Sequence, residues 1–127
     1  MRLLLDTQAL IWSVGSSSLL ATPARQALED AANTVVVSVV SLWEAVIKQA
    51  TGKLVLDEDL ACVARERGFD VLPIREEHAR AVADLPLHHR DPFDRMLVAQ
   101  ARHEGFTLVT ADRRLEAYSV AVLRADG

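Results

Sequence analysis

Asp6, Glu44, Asp94 and Asp112 each sit where an apolar, strand-like run ends or where a helix begins. Asp6 follows Leu3-Leu4-Leu5, and Glu44 comes shortly after Val35-Val36-Val37-Ser38. Asp94 closes Asp91-Pro92-Phe93-Asp94, and Asp112 follows Leu108-Val109-Thr110-Ala111. In a parallel α/β sheet the carboxyl ends of strands and the helix starts that follow share one edge, where ligands bind. Four acids far apart in the chain can therefore meet at one site. Crowded carboxylates repel one another, and ordinary packing gives no reason for it. A hard divalent cation does: oxygen ligands with surplus negative charge suit Mg²⁺ or Mn²⁺.

Taken singly, each acid has a plainer explanation. Asp6 suits the N-cap of the helix after it, and Asp112 that of the short turn Arg113 to Glu116. Glu44 lies off the apolar stripe of its helix, where an i,i+4 pair with Lys48 would contribute only a few tenths of a kcal/mol. Asp-Pro-Phe-Asp resembles a capping box, with Asp91 as N-cap and Pro92 at the first helical position. Asp94, in the first turn, can point from there toward the sheet edge. The histidines carry less weight. His88 and His89 are adjacent on a loop and read as solvated, with phosphate contact ahead of metal ligation, and His78 and His103 lack an acidic partner at ligand spacing. Trp12 and Trp43 fall on apolar helix faces and read as core or interface packing.

The elements that would position these groups alternate along the chain. Arg2 to Leu5 reads as a strand and Thr7 to Val14 as a helix ended by Gly15-Ser16-Ser17-Ser18. Thr22-Pro23 starts a second helix, with Thr22 as N-cap. Val35 to Val37 is a β-branched strand. From Val39 to Thr51 the apolar residues recur at helical spacing. A helix from Asp57 to Gly68, a strand from Phe69 to Ile74 and a helix from Glu76 to Leu85 come next. A loop from Pro86 to Arg90 leads into a long helix from Asp91-Pro92 to Gly105. Strands at Thr107 to Thr110 and Val120 to Leu123 complete the chain. Such alternation predicts βαβ units and a mainly parallel sheet covered on both faces, a three-layer α/β/α sandwich in one compact domain spanning residues 1–127.

Composition narrows the classes. The chain has 127 residues, half of them apolar and a quarter charged, with few Gly and Pro, which excludes disordered and collagen-like classes. No apolar run is long enough to span a membrane, and Asp6 interrupts the only candidate signal segment, so a cytoplasmic protein is expected. The single cysteine, Cys62, excludes an internal disulfide and a cysteine zinc cluster; it is expected to be a small core residue. Net charge is −4, which at first opposes a nucleic-acid partner. Of the 18 acidic residues, however, four are those singled out above, and the remaining 14 balance the 14 Lys and Arg. The acidity can be local to the site.

The whole chain resembles a PIN-domain ribonuclease and, within that family, the VapC-type toxins of bacterial toxin–antitoxin pairs. The resemblance rests on Leu3-Leu4-Leu5-Asp6-Thr7 with Ala9-Leu10-Ile11-Trp12, and on Ser38-Val39-Val40-Ser41-Leu42-Trp43-Glu44. It continues through Gly52-Lys53-Leu54, Leu72-Pro73-Ile74 and Leu85-Pro86, then His89-Arg90-Asp91-Pro92-Phe93-Asp94-Arg95, Ala99-Gln100-Ala101 and Leu108-Val109-Thr110-Ala111-Asp112. Each piece is weak alone; their order and coverage make the combination specific. The resemblance implies Mg²⁺- or Mn²⁺-dependent RNA cleavage, with Asp6, Glu44, Asp94 and Asp112 as ligands. It also implies Thr110 hydrogen-bonding behind them, a homodimer, and a small cognate antitoxin. Asp91 is an extra acid, a fifth carboxylate or a helix cap. Arg90, Arg95, Arg113, Arg114 and Lys48 are candidates for holding the RNA backbone by charge, with ordinary surface charge as the plainer reading.

Three other readings compete. A haloacid-dehalogenase-type phosphatase also begins strand–Asp, but it needs a second Asp two residues later, where this chain has Gln8. A structure-specific nuclease acting on DNA or RNA outside a toxin–antitoxin system uses the same acidic edge. A non-catalytic module would hold metal or a partner with the same carboxylates.

Overall fold

Leu3, Leu4 and Leu5 are all fully buried. Because successive side chains of a strand point to opposite faces, this run needs cover on both sides, and the fold supplies it. The computed structural model describes residues 1–127. Its strands are β1 (Arg2–Leu5), β2 (Thr34–Ser38), β3 (Asp70–Leu72), β4 (Thr107–Thr110) and β5 (Val122–Arg124). They form one sheet in the order β3-β2-β1-β4-β5, parallel at every pairing. The helices are α1 (Thr7–Gly15), α2 (Thr22–Glu29), α3 (Val39–Ala50), α4 (Leu60–Glu66), α5 (Glu76–Val82) and α6 (Pro92–Glu104). Leu3, Leu5, Val35, Val37 and Val109 pack on one side with Leu10, Leu60 and Ala64. Leu4, Val36 and Leu108 pack on the other with Leu97, Val98 and Ala101. The result is the expected α/β/α sandwich.

The strand order reverses at β1, which lies between β2 and β4. A crevice opens at such a switch point beyond the carboxyl ends of the strands. Asp6 leaves β1 there and caps α1 by accepting from the Ala9 N–H at 2.8 Å. Ser38 leaves β2 and caps α3, accepting from the Val40 N–H at 3.0 Å. Asp91 caps α6, its Oδ1 accepting from the N–H groups of Phe93 at 2.8 Å and Asp94 at 3.0 Å. Gly105, at φ 74°, ends α6 in the left-handed region that favours glycine.

Several expectations are corrected. The apolar stripe of α3 is split: Val39, Trp43, Val46 and Ile47 are exposed, Leu42 packs against the core, and Val40, Ser41 and Ala45 are buried. Cys62 is exposed, on the outer side of α4. That helix starts at Leu60 with Asp59 as cap, not at Asp57, and Ala21, not Thr22, occupies the cap position of α2. The segment Ser17–Leu19 is a 3-10 turn. Both β3 and α5 are shorter than their apolar runs suggested, and β5 starts at Val122, not Val120. No helix is long and apolar enough to cross a membrane.

Candidate active site

Asp6, Glu44, Asp94 and Asp112 line one cleft of about 290 Å³ at the crevice, together with Thr7, Gln8, Trp12, Lys48 and Ala111. Each arrives on a different element. Asp6 is delivered by the end of β1 and Glu44 by the second turn of α3. Asp94 comes from the first turn of α6, and Asp112 stands just past β4. An edge-to-face contact between Trp43 and Phe93, ring centroids 5.0 Å apart, joins α3 to α6 one residue before Glu44 and Asp94.

Hydrogen bonds aim the carboxylates. Thr110, fully buried, donates from Oγ1 to Asp6 Oδ2 at 2.6 Å and accepts from the Asp112 N–H at 3.0 Å. Thr7 Oγ1 donates to Glu44 Oε1 at 2.5 Å, and Lys48 Nζ stands 3.4 Å from Glu44 Oε2. Asp112 is the most heavily engaged. Its Oδ1 accepts from Arg114 N at 2.9 Å and Arg114 Nε at 3.1 Å, and its Oδ2 from Arg114 Nη2 at 2.9 Å and His89 Nε2 at 3.0 Å.

The acids differ in proton affinity for reasons the geometry supplies. Burial pushes the Asp94 carboxyl up to about 7, and the nearby carboxylates of Asp91, Asp6 and Glu44 add to it. Asp6 is also raised, chiefly by burial, against the lowering hydrogen bonds from Thr110 and Ala9. Asp112 is held down to about 2, mainly by its hydrogen bonds from Arg114. The cleft thus gathers oxygen donors around a buried acid, Asp6, and a half-buried one, Asp94, whose ionisation the protein itself opposes. That donor set fits a hard divalent cation, whose charge would offset the repulsion.

Asp91 lies outside this cleft. It lines an adjoining concavity with Leu87, His88, His89, Arg90 and Arg114. The basic candidates separate clearly. Arg114 is tied to Asp112 and Lys48 to Glu44, while Arg90 and Arg113 are exposed. Arg95 is turned inward: its guanidinium donates to Pro86 O at 3.0 Å, Tyr118 Oη at 3.1 Å and Val82 O at 3.3 Å. It fastens the loop 86–90 and is not available to a polyanion on the surface.

Two histidines depart from the sequence reading. His78 is fully buried and does have an acidic partner, Glu104 Oε1, at 2.8 Å from Nε2. His89 is not a solvated loop residue; it is 7% exposed. Its Nε2 lies 3.0 Å from Asp112 Oδ2 and 3.1 Å from Asp94 Oδ2. The loop turns the ring inward because the buried Tyr118 hydroxyl accepts from the His89 N–H at 3.1 Å. Nothing local in the sequence signals this, since the partner is 29 residues away.

Comparison with known proteins gives a consistent result. Residues 3–121 match the family described as PIN domain. No curated protein matches the sequence. Among solved structures, the chain is similar to VapBC2 from Rickettsia felis bound to a DNA fragment from the promoter: TM-score 0.74, 16% identity, 98% of each chain covered. It is also similar to DNA-bound VapBC from Salmonella typhimurium, with TM-score 0.73, 19% identity and 98% of each chain covered. A toxin–antitoxin complex from Klebsiella pneumoniae matches with TM-score 0.63, 22% identity and 94% of each chain covered.

Proposed function

The chain belongs to the PIN domain family, and on that premise we propose that it is a Mg²⁺- or Mn²⁺-dependent endoribonuclease, the toxin of a toxin–antitoxin pair. The observation that carries the reading is the convergence of Asp6, Glu44, Asp94 and Asp112 on one cleft at the switch point. These four would hold the cation, which when bound supplies a nucleophilic water near neutral pH and offsets charge on the phosphorane-like transition state. Thr110 and Thr7 fix the carboxylates of Asp6 and Glu44 in advance, so little reorganisation accompanies binding. Arg90, Arg113 and Arg114, at or beside the cleft mouth, are suited to the RNA backbone. Asp91 acts as the cap of α6, not as a fifth ligand. No cysteine or serine nucleophile is needed, and exposed Cys62 has none of the hydrogen bonds of one: the only polar contact of its thiol is with Glu66.

Partners follow from the relatives. The solved structures of similar fold include VapBC assemblies and a toxin–antitoxin complex, and we extend to this chain a cognate antitoxin; a homodimer and a cytoplasmic setting are added as our own reading. The exposed Val39, Trp43, Val46 and Ile47 of α3 give the dimer an apolar surface. The test is incubation of the purified protein with RNA and, in parallel, with single- and double-stranded DNA, in Mg²⁺, in Mn²⁺ and in excess EDTA. RNA cleavage abolished by EDTA is expected. Equal cleavage with and without the chelator would defeat the metal reading, cleavage of DNA alone would favour the structure-specific nuclease, and no cleavage of any substrate would favour a binding module.

A further inference from the structure

We propose that His89 is a positioning residue of the acidic cleft, its Nε2–H holding Asp112 beside Asp94 in the pose from which Asp94 meets the cation. This rests on the metal-dependent reading above and adds a residue to it. A histidine ring buried to this extent must have both nitrogens partnered or forfeit their hydration. Both are. Nδ1 accepts from the Asp91 N–H at 3.1 Å, and Nε2 faces the two carboxylates.

The Asp91 contact decides the tautomer. A nitrogen accepting a backbone N–H carries no proton, so the proton of the neutral ring resides on Nε2. His89, Asp94 and Asp112 present ligand atoms within 4.8 Å of one another, which by distance alone describes a three-ligand metal cluster. The tautomer argues otherwise, because Nε2–H has no lone pair to offer. Ligation there would require a proton on Nδ1, directly opposed to the Asp91 N–H.

The ring is also held from outside the cleft. Tyr118 Oη takes the His89 N–H, and Arg95 binds both that hydroxyl and the carbonyl of Pro86. The donor direction is therefore set by the framework of the loop and not by the acids it serves. Its effect on the two acids is unequal. Asp112 already accepts three hydrogen bonds from Arg114 and the His89 Nε2–H adds a fourth; with roughly four acceptor positions on a carboxylate, a bound cation would take one now held by the exposed Arg114 side chain. For Asp94, His89 approaches Oδ2 only, so the carboxylate would keep acceptor capacity for a cation when one is bound.

Donors behind metal ligands typically change metal affinity or activity by about 10–100-fold when removed. The experiment titrates Mn²⁺ into the wild type, His89→Gln and His89→Asn by calorimetry, with melting temperatures to establish folding. Glutamine places an amide N–H₂ near the position of Nε2, whereas asparagine reaches only as far as Nδ1. We expect His89→Gln to bind Mn²⁺ within a few-fold of wild type and His89→Asn to bind on the order of 10–100-fold more weakly. Electron spin-echo spectra of bound Mn²⁺ should be free of directly coordinated ¹⁴N. Wild-type affinity in folded His89→Asn overturns the proposal, as does a ligand-nitrogen coupling that disappears in His89→Gln. A wild-type protein that binds no Mn²⁺ at all defeats instead the metal-dependent reading, and this proposal with it.

Discussion

Replacing Asp94 with asparagine should make the metal-free protein more stable while destroying its proposed activity. The Asp94 carboxyl is pushed from the ordinary 3.8 up to about 7 by burial and by the carboxylates of Asp91, Asp6 and Glu44. In the unfolded chain it ionises near 3.8, but in the folded protein it keeps its proton until about pH 7. Between those values the native state binds more protons than the unfolded state, so stability falls as pH rises and levels off above about 7. The displacement corresponds to about 4 kcal/mol at most. The side chain is 21% exposed, and solvent screening reduces this to on the order of 2 kcal/mol. Asparagine keeps the shape and carries no charge. At pH 8 without metal, Asp94→Asn should therefore melt on the order of 5–10 °C above wild type. The gain should shrink to a small fraction at pH 4, where Asp94 is protonated in the folded protein and about half ionised in the unfolded chain. Millimolar Mn²⁺ should raise the wild-type Tm and leave the variant nearly unmoved. RNA cleavage by the variant should fall by orders of magnitude. Thermal unfolding at pH 4 and 8, with EDTA or Mn²⁺, reads all of this. A variant that melts at or below wild type in EDTA at pH 8 would refute the claim that the cleft stores repulsion at this residue.

Other substitutions probe the supports. Asp91→Asn should keep both activity and stability near wild type, because the amide oxygen can take the N–H groups of Phe93 and Asp94; Asp91→Ala should lose about 1 kcal/mol in urea unfolding. An inactive but stably folded Asp91→Asn would mean that this acid serves the chemistry. Thr110→Val should cost about 1–3 kcal/mol, since it removes the donor to Asp6 and strands the Asp112 N–H, and it should weaken Mn²⁺ binding as well; unchanged urea stability would contradict the geometry. Val46→Glu on the exposed face of α3 should shift sedimentation from dimer toward monomer and remove the dependence of Tm on protein concentration; a monomeric wild type would remove the basis for the dimer.

The site was legible in sequence to the extent that local signals specify it. Apolar runs ending in an acid mark strand ends, and alternation with helices turns those ends into one edge, so Asp6 and Asp112 could be brought together without coordinates. Asp94 followed from Pro92 and the cap at Asp91. What local signals could not supply was orientation set by distant partners. The apolar spacing of α3 is the same whether its stripe faces in or out, and the helix turns Val40 and Ala45 to the core instead. Asp57 and Asp59 are equally good caps on paper, and Leu60 packing against the sheet favours the later start. His89 sits in a loop rich in polar residues and Arg95 in the first turn of α6 beside it, where exposure is the natural expectation. Both are drawn inward by Tyr118, a residue that only the tertiary fold brings near.

The central place of β1 also bears on when the cleft can exist. Its partners are residues 34–37 on one side and 107–109 on the other, and the Thr110 hydrogen bond to Asp6 closes a separation of 104 residues. Parallel pairings this distant in sequence form late, because the loop-closure entropy must be met before the contacts repay it. During synthesis, β1, α1 and β2 are available long before β4, but the chain cannot present its four acids together until residue 112 has been made. A ribosome-bound fragment ending before Thr107 would carry Asp6, Glu44 and Asp94 and still have no floor to the crevice. For an enzyme proposed to cut RNA, that order of assembly is a safeguard in time: the nascent chain passes through most of its synthesis beside RNA without a competent site.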